Sequence, residues 1–456
     1  MNNLALIATV LIVMALAYQL GLTRSKAVAG SGERLHSRPG YYGVLVALWC
    51  GLPALLLFIL WSVFEPGIID LLVFQQLPPE VAAFSEREQQ LVMRRIAALA
   101  AGQNVADPQD FERLAASQQA RLEMLGHLSM LATMSIVAVV GLVVARRHVT
   151  PRLRARNHVE KAITALLATC SGVAILTTVG IILSMIGEAM NFFRFVSPVE
   201  FFFGTTWNPR FSSSGAGGQG EYGLLPLLWG TLMVSIIALL VAIPLGLMTA
   251  IYMAEYAPAW LRSVAKPVIE VLAGIPTIVY GFFALIVIGP FLSGFGELVG
   301  LNIRTTSALT AGLVMGIMII PFVSSLSDDI ITQVPKALRD GALGLGATKS
   351  ETIRQVVLPA ALPGIVGAFL LAASRAIGET MIVVLAAGNN PVLHANPFEA
   401  VSTITVTIVN QLTGDMDFAS PQSLVAFALG LTLFVITLGL NVIALVVVRR
   451  YRQQYE

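Results

Sequence analysis

Apolar residues in this chain come in long unbroken runs separated by short polar stretches. Nine runs, at about 3–21, 42–64, 127–145, 163–186, 224–253, 267–289, 306–327, 361–388 and 425–448, are each near the roughly 20 residues a helix needs to cross a bilayer core. Backbone groups in lipid must pair within their own segment, and each run is far longer than a barrel strand. The pattern therefore predicts an all-α polytopic membrane protein with about nine transmembrane helices. Three longer segments, 65–126, 187–223 and 389–424, interrupt it on one side. In 65–126, Leu, Ile and Met recur at three-to-four spacing, which predicts a short helical hairpin whose second arm starts near Asp107-Pro108.

Composition agrees with a membrane chain: 56% of its 456 residues are apolar and only 12% charged, against about a quarter charged in a soluble domain. The position of the charges says more than their sum. Basic residues gather in "TRSKAVAGSGERLHSR", "RRHVTPRLRARNH", "LRSVAK", "KALRDGALGLGATKSETIR" and "RRYR". One alternating arrangement places all of these loops inside, with the N-terminus outside and the C-terminus inside. No basic tract suits nucleic acid. The first run lacks a basic n-region and a small-residue cleavage site, so it is expected to stay as a span. Cys50 and Cys170 both lie in apolar runs, which predicts no disulfide and no zinc site. The pattern changes after Arg156: we read 1–160 as an accessory module of three spans with the outer segment 65–126, and 161–456 as a six-span transporting core.

Within that core the charges are few. Arg375 and Glu379 fall inside the eighth run, on one predicted helix face at i, i+4. A charge at that depth costs at least a few kcal/mol and therefore faces a protein interior or a wet path. Arginine suits an oxyanion because its planar fork offers several directed donors, and Glu379 would orient it or offset its charge. The alternative is a buried ion pair that only fixes packing. Glu270 is expected at the inner start of span six, as an interfacial partner of Lys266 or as a gating or helix-joining contact. Gly274 and Pro276 would allow a local break there. In the long fifth run, Pro244 is expected to kink the helix or end its deepest part. Phe201–Phe203, Trp207, Asn208 and Pro209 make an outer aromatic group, either a membrane-surface anchor or a loop core.

The inner segment 332–360 is predicted to form two short helices about a turn near Gly344–Gly346, with Thr348 or Ser350 capping the second and Glu351 in its first turn. Pro359 and Pro363 would set the angle of entry into span eight. Leu338, Ala342, Leu343, Leu345 and Ala347 would present a small apolar knob, to a partner or to the membrane surface. Enzyme signals are missing. His36, His127, His148, His158 and His394 have no ligand spacing, and neither a phosphate loop nor H-E-x-x-H occurs. No catalytic and no metal-binding residue is expected, and ATP, if it drives the protein, must bind another chain.

The stretch "LRDGALGLGATKSETIRQVVLPAALPG" resembles the cytoplasmic coupling loop of permease subunits in bacterial ABC importers. Asp340, Ala342, Gly346, Leu358 and Pro359 match the family pattern, with Gly341 in place of the usual first alanine and Asp340 in place of the usual glutamate. "FFFGTTWNP", "GTLMVSIIALLVAIPLGLMTAIYMAEYAP", "KPVIEVLAGIPTIVYGF" and "SRAIGETM" narrow the resemblance to phosphate importer permeases of the PstC type, over about 165–450. The resemblance implies a bacterial inner-membrane complex. Its other members would be a second permease subunit, two cytoplasmic ATPase subunits carrying ATP and magnesium, and a periplasmic phosphate-binding protein. This chain would hold no cofactor; 337–359 would seat in an ATPase groove, and Arg375 would meet phosphate beside Glu379. Other readings are a permease for another small oxyanion, the sister permease of the same importer, an intramembrane enzyme, or an ion-driven secondary transporter. The separable inner docking segment and the scarcity of acidic residues in the spans argue against the last.

Overall fold

The computed structural model describes residues 3–29, 35–82, 86–103, 105, 108–209, 220–414 and 420–452. Asp107 and the Gly/Ser-rich run 210–219 lie outside the described residues. Among the described residues, nine helices are long and apolar enough to cross a membrane. The chain divides into two compact units, Met1–Ile175 and Leu176–Glu456.

In the first unit, α1 (Asn3–Ala29), α2 (Pro39–Phe74) and α4 (Asp110–His148) pack around Ala17, Tyr42, Val46, Cys50, Ala54 and Ala138. Small residues let the backbones close up; a Cβ added to Gly141 would lie 2.3 Å from the Trp49 carbonyl oxygen. The predicted hairpin is present: its first arm is α3 (Glu86–Ala100) and its second is the start of α4 from Asp110, which runs on into the span, with the end of α2 packed beside them. Ile69, Val73, Ile96, Ala115 and Ala116 form its small core. Gln109 and Glu112 make a capping box at the start of α4. Arg95 pairs with the buried Glu112 at 2.9 Å.

The helix α5 (Ala155–Phe192) crosses from the first unit into the second, and the expected boundary at 160 lies within it. The second unit continues with α6 (Pro198–Phe203), α7 (Leu225–Tyr256), α8 (Ala259–Ala273), α9 (Thr277–Val299), α10 (Ala308–Gln333), α11 (Lys336–Gly344), α12 (Lys349–Ile377), α13 (Met381–Ala386), α14 (Ile404–Gly414) and α15 (Pro421–Arg452). Its centre is α7 against α10. Ala238, Ala242 and Gly246 repeat at four-residue spacing on α7, and Gly312 and Gly316 do so on α10. A Cβ at Gly312 would come within 2.7 Å of Ile237, and one at Gly316 within 2.9 Å of the Ala238 carbonyl oxygen. This is membrane packing by small residues, where close backbone approach replaces the hydrophobic drive that lipid removes. α7 is not ended by Pro244; its helix runs through and closes in a π turn at Tyr252–Tyr256.

The aromatic group is mainly a loop core. Phe201 and Trp207 are buried with Phe192, Tyr222 and Leu227, while Phe202 and Phe203 are exposed. Two short antiparallel strands, β1 (Trp207–Asn208) and β2 (Glu221–Tyr222), hold that loop. The segment 389–403 is stitched to the start of α10: Arg304 N–H donates to Phe398 O and Ala308 N–H to Glu399 O, both at 3.0 Å.

Candidate functional site

The eighth apolar run is not one helix. α12 stops at Ile377 with Gly378 as its C-cap, and α13 starts afresh at Met381. Arg375 and Glu379 are therefore not an i, i+4 pair on a helix face, which corrects the expectation from spacing. Arg375 sits in the last turn of α12, favourable for a cation at the carbonyl end. Its side chain is exposed on this chain and lies over α10. Nη2 is 3.8 Å from Met318 Sδ, and the guanidinium carbon is 5.6 Å from the Phe322 ring centroid. Among the described residues no carboxylate pairs with it. Glu379 instead serves the backbone: its Oε1 accepts from Met381 N–H at 3.2 Å, and its carbonyl oxygen accepts from Thr405 Oγ1 at 2.9 Å. The glutamate braces the break and leaves the guanidinium open to an anion.

At the other end of α12 is a tight elbow. α11 closes in a Schellman arrangement, with Ala347 N–H donating to Ala342 O and Gly346 N–H to Leu343 O. That motif needs a left-handed residue, and Gly346 has φ +89°. Thr348 then caps α12 in a capping box with Glu351, as the sequence pattern predicts. No loop separates the second short helix from span eight. That helix passes through a π turn at Ile353–Val357 and past Pro359 into the span as one helix. No residue of α11 is buried, and Leu345 is 92% exposed at the tip. Asp340, Gly346 and Pro359 are also exposed, whereas Ala342 and Leu358 are half-buried.

The elbow is tied to the spans by residues that the sequence reading did not single out. Arg339 pairs with Glu255, at the end of α7, at 2.9 Å. It also donates to the Ile331 and Val334 carbonyls, at the end of α10, at 2.7 and 2.6 Å. Lys349 Nζ stands 5.0 Å from the centre of the Tyr256 ring. One arginine thus joins α7, α10 and α11. The available signal was Glu255 itself, an acid at the end of an otherwise uncharged run.

Span six begins at Thr277, not near 267. The preceding residues form the separate helix α8, which has no buried residue. Gly274 caps its end and Pro276 starts α9, so the predicted break is real. Glu270 lies exposed on α8 rather than in the span, and Lys266 does not pair with it. Lys266 and Arg262 both reach Asp328 of α10, which is 3% exposed, at 2.9 and 3.0 Å. Lys266 also pairs with Asp329. Hydrogen bonds to Asp328 and Asp329 raise the Lys266 ammonium above the ordinary lysine range.

Residues 242–453 match the family model of binding-protein-dependent transport system inner membrane components, and residues 7–177 match a model described as a phosphate ATP-binding cassette transporter. A probable ABC transporter permease protein of Bacillus subtilis is 40% identical over 53% of this chain and 75% of its own length. The phosphate transport system permease protein PstC of Mesorhizobium japonicum is 36% identical over 61% and 87%, and that of Haemophilus influenzae is 34% identical over 64% and 93%. Among solved structures, a bacterial alginate ABC transporter chain covers 64% of this chain and 96% of its own at a TM-score of 0.43 and 18% identity.

Proposed function

The chain belongs to the PstC-type phosphate permeases of binding-protein-dependent ABC transporters, and we propose that it lines the path of inorganic phosphate and takes its driving force through the elbow at Gly346. It is a multi-pass inner-membrane transport subunit. We place its N-terminus in the periplasm and its C-terminus in the cytoplasm, following the basic loops. Residues 161–456 then form the translocating core, and 1–160 an accessory module. The partners proposed are a second permease, two cytoplasmic ATPase subunits that bind ATP and magnesium, and a periplasmic phosphate-binding protein.

The observation that carries this reading is the continuity of α12. The same helix begins at the elbow and carries Arg375 in its last turn. From Lys349 to Arg375 it spans roughly 39 Å at 1.5 Å per residue, about the thickness of the membrane. A displacement of the exposed Leu345 knob by a closing ATPase would be delivered along this rod to the guanidinium. Gly378 and the break after it let α13 and the outer loop stay in place while α12 moves. Gly274 and Pro276 supply a second hinge, between α8 and α9. Phosphate would meet Arg375 through charge-assisted, forked hydrogen bonds, and release would follow as access switches. No bond is made or broken on this chain.

Arg339 tests the coupling. Its pair with Glu255 is mostly buried, and breaking such a pair costs about 3 kcal/mol. In the purified complex, Arg339→Ala is expected to keep ATP hydrolysis while lowering phosphate moved per ATP by at least about tenfold, since 1.4 kcal/mol is already a factor of ten. An unchanged ratio would remove the elbow anchor from the account.

A further inference from the structure

A furrow of about 690 Å³ lies between α10, α12 and α15 of the second unit, within the roughly 300–1,000 Å³ of ordinary ligand pockets. Its walls are aliphatic: Leu326 and Ile330 from α10, Leu371 from α12, and Leu445 and Val448 from α15. Pro335 and Leu338, at the foot of α11, line the end where α10 stops at Gln333. The apolar sequence of α15 stops at Val448, on the same side. That end of the furrow therefore meets the membrane surface. From there it is lined along α12 from Ala360 to Leu371, roughly 16 Å at 1.5 Å per residue. Half the thickness of a bilayer core is about 15 Å, so the furrow is one leaflet deep.

Three cations follow directly on the lining residues at the surface end: Lys336 after Pro335, and Arg449 and Arg450 after Val448. All three are exposed, and none makes an ion pair among the described residues. No charged residue lines the furrow itself. An apolar slot with a positive mouth has the polarity that complements a phospholipid with an anionic head. A helix of a neighbouring subunit fits it less well. Close helix approach needs free small residues, and those of the furrow are already used inside the chain. A Cβ at Gly364 would meet Ile330 at 2.6 Å, and one at Gly367 would meet Val448 at 2.4 Å. We propose that the furrow holds one anionic phospholipid, with an acyl chain along α12 and its phosphate on Lys336, Arg449 and Arg450. The lipid then touches α10, the foot of α11 and α12 together. The orientation proposed above makes it a lipid of the cytoplasmic leaflet; the site does not depend on which anion is transported.

The test is photo-crosslinking in the assembled transporter, with p-benzoylphenylalanine in place of the exposed wall residue Leu445, in nanodiscs of phosphatidylcholine and phosphatidylglycerol. Mass spectrometry of the crosslinked chain is expected to find phospholipid adducts. Phosphatidylglycerol should be enriched at least about tenfold over its share of the bilayer, since each cation at the surface contributes roughly fivefold. Lys336→Gln/Arg449→Gln/Arg450→Gln in the same chain should remove the enrichment and leave the adducts. If the triple variant does not assemble, Lys336→Gln alone should lower the enrichment by about fivefold. Adducts to a helix of another subunit, phosphatidylglycerol at its bulk share in the parent, or unchanged enrichment in the variants would each overturn the proposal.

Discussion

Replacing Arg375 by alanine is expected to lower phosphate uptake on the order of 100-fold in cells that lack other phosphate importers, with the transporter still assembled. The guanidinium has Met318 Sδ and the Phe322 ring as neighbours and no carboxylate among the described residues. Its removal therefore strands no buried counter-charge, and the fold should survive. What is lost is the interaction with the anion. A hydrogen bond to a charged group contributes about 1.5–3 kcal/mol, so losing the better part of two costs about 3 kcal/mol, or two decades. Arg375→Lys keeps the charge but not the fork and should fall between the two. Glu379→Gln supplies a second reading of the same geometry. Glu379 holds the Met381 N–H, which the amide oxygen of glutamine also accepts, so uptake should change less than about threefold, within roughly 0.7 kcal/mol. Radiolabelled phosphate uptake, normalised to transporter recovered from membranes, decides both. Normal uptake by Arg375→Ala would take the arginine out of the path.

Gly346→Asp is expected to release the ATPase subunits. A Cβ at Gly346 would meet nothing within 4 Å, so the space is open and the backbone alone selects glycine, at φ +89°. An ordinary residue there costs about 1–2 kcal/mol, and aspartate is among those that tolerate it better. The fold of the permease should therefore hold, while a charge and a side chain appear beside Leu345, the exposed tip. Co-purified ATPase per permease should drop at least tenfold, with Gly346→Asn intermediate. An unchanged ratio for the aspartate variant would show that the ATPase docks elsewhere.

The spans were legible because the hydrophobic demand of a bilayer is written residue by residue. The elbow was legible too: a left-handed turn wants Gly346, and a helix start wants Thr348 with Glu351 three residues on. What pattern could not give is where a helix stops inside an apolar run. Ile377–Gly378–Glu379 reads as continuous helix when a long apolar run lies on both sides, and only the hydrogen bonds show the break. The same blindness merged the end of α8 into span six, because the apolar run continues across Gly274 and Pro276 and only the helix ends show the stop. Pairings across elements were invisible for a different reason. Arg339 with Glu255 and Arg262 with Asp328 are separated by 84 and 66 residues, and local spacing favours the wrong partners, Lys266 with Glu270 and Arg375 with Glu379.

The most direct test of the coupling rod follows access to the break at the Arg375 end of α12. In a chain carrying Cys50→Ser, Cys170→Ser and Thr380→Cys, reconstituted with its ATPases and binding protein, labelling by a membrane-impermeant maleimide would be timed from each side. It would be compared without nucleotide and with ATP trapped by vanadate. The rates from the two sides should shift in opposite directions by at least about tenfold between the two states, and Gly346→Asp should abolish the shift. Labelling from one side at one rate in both states would contradict the claim that motion at the elbow reaches Arg375.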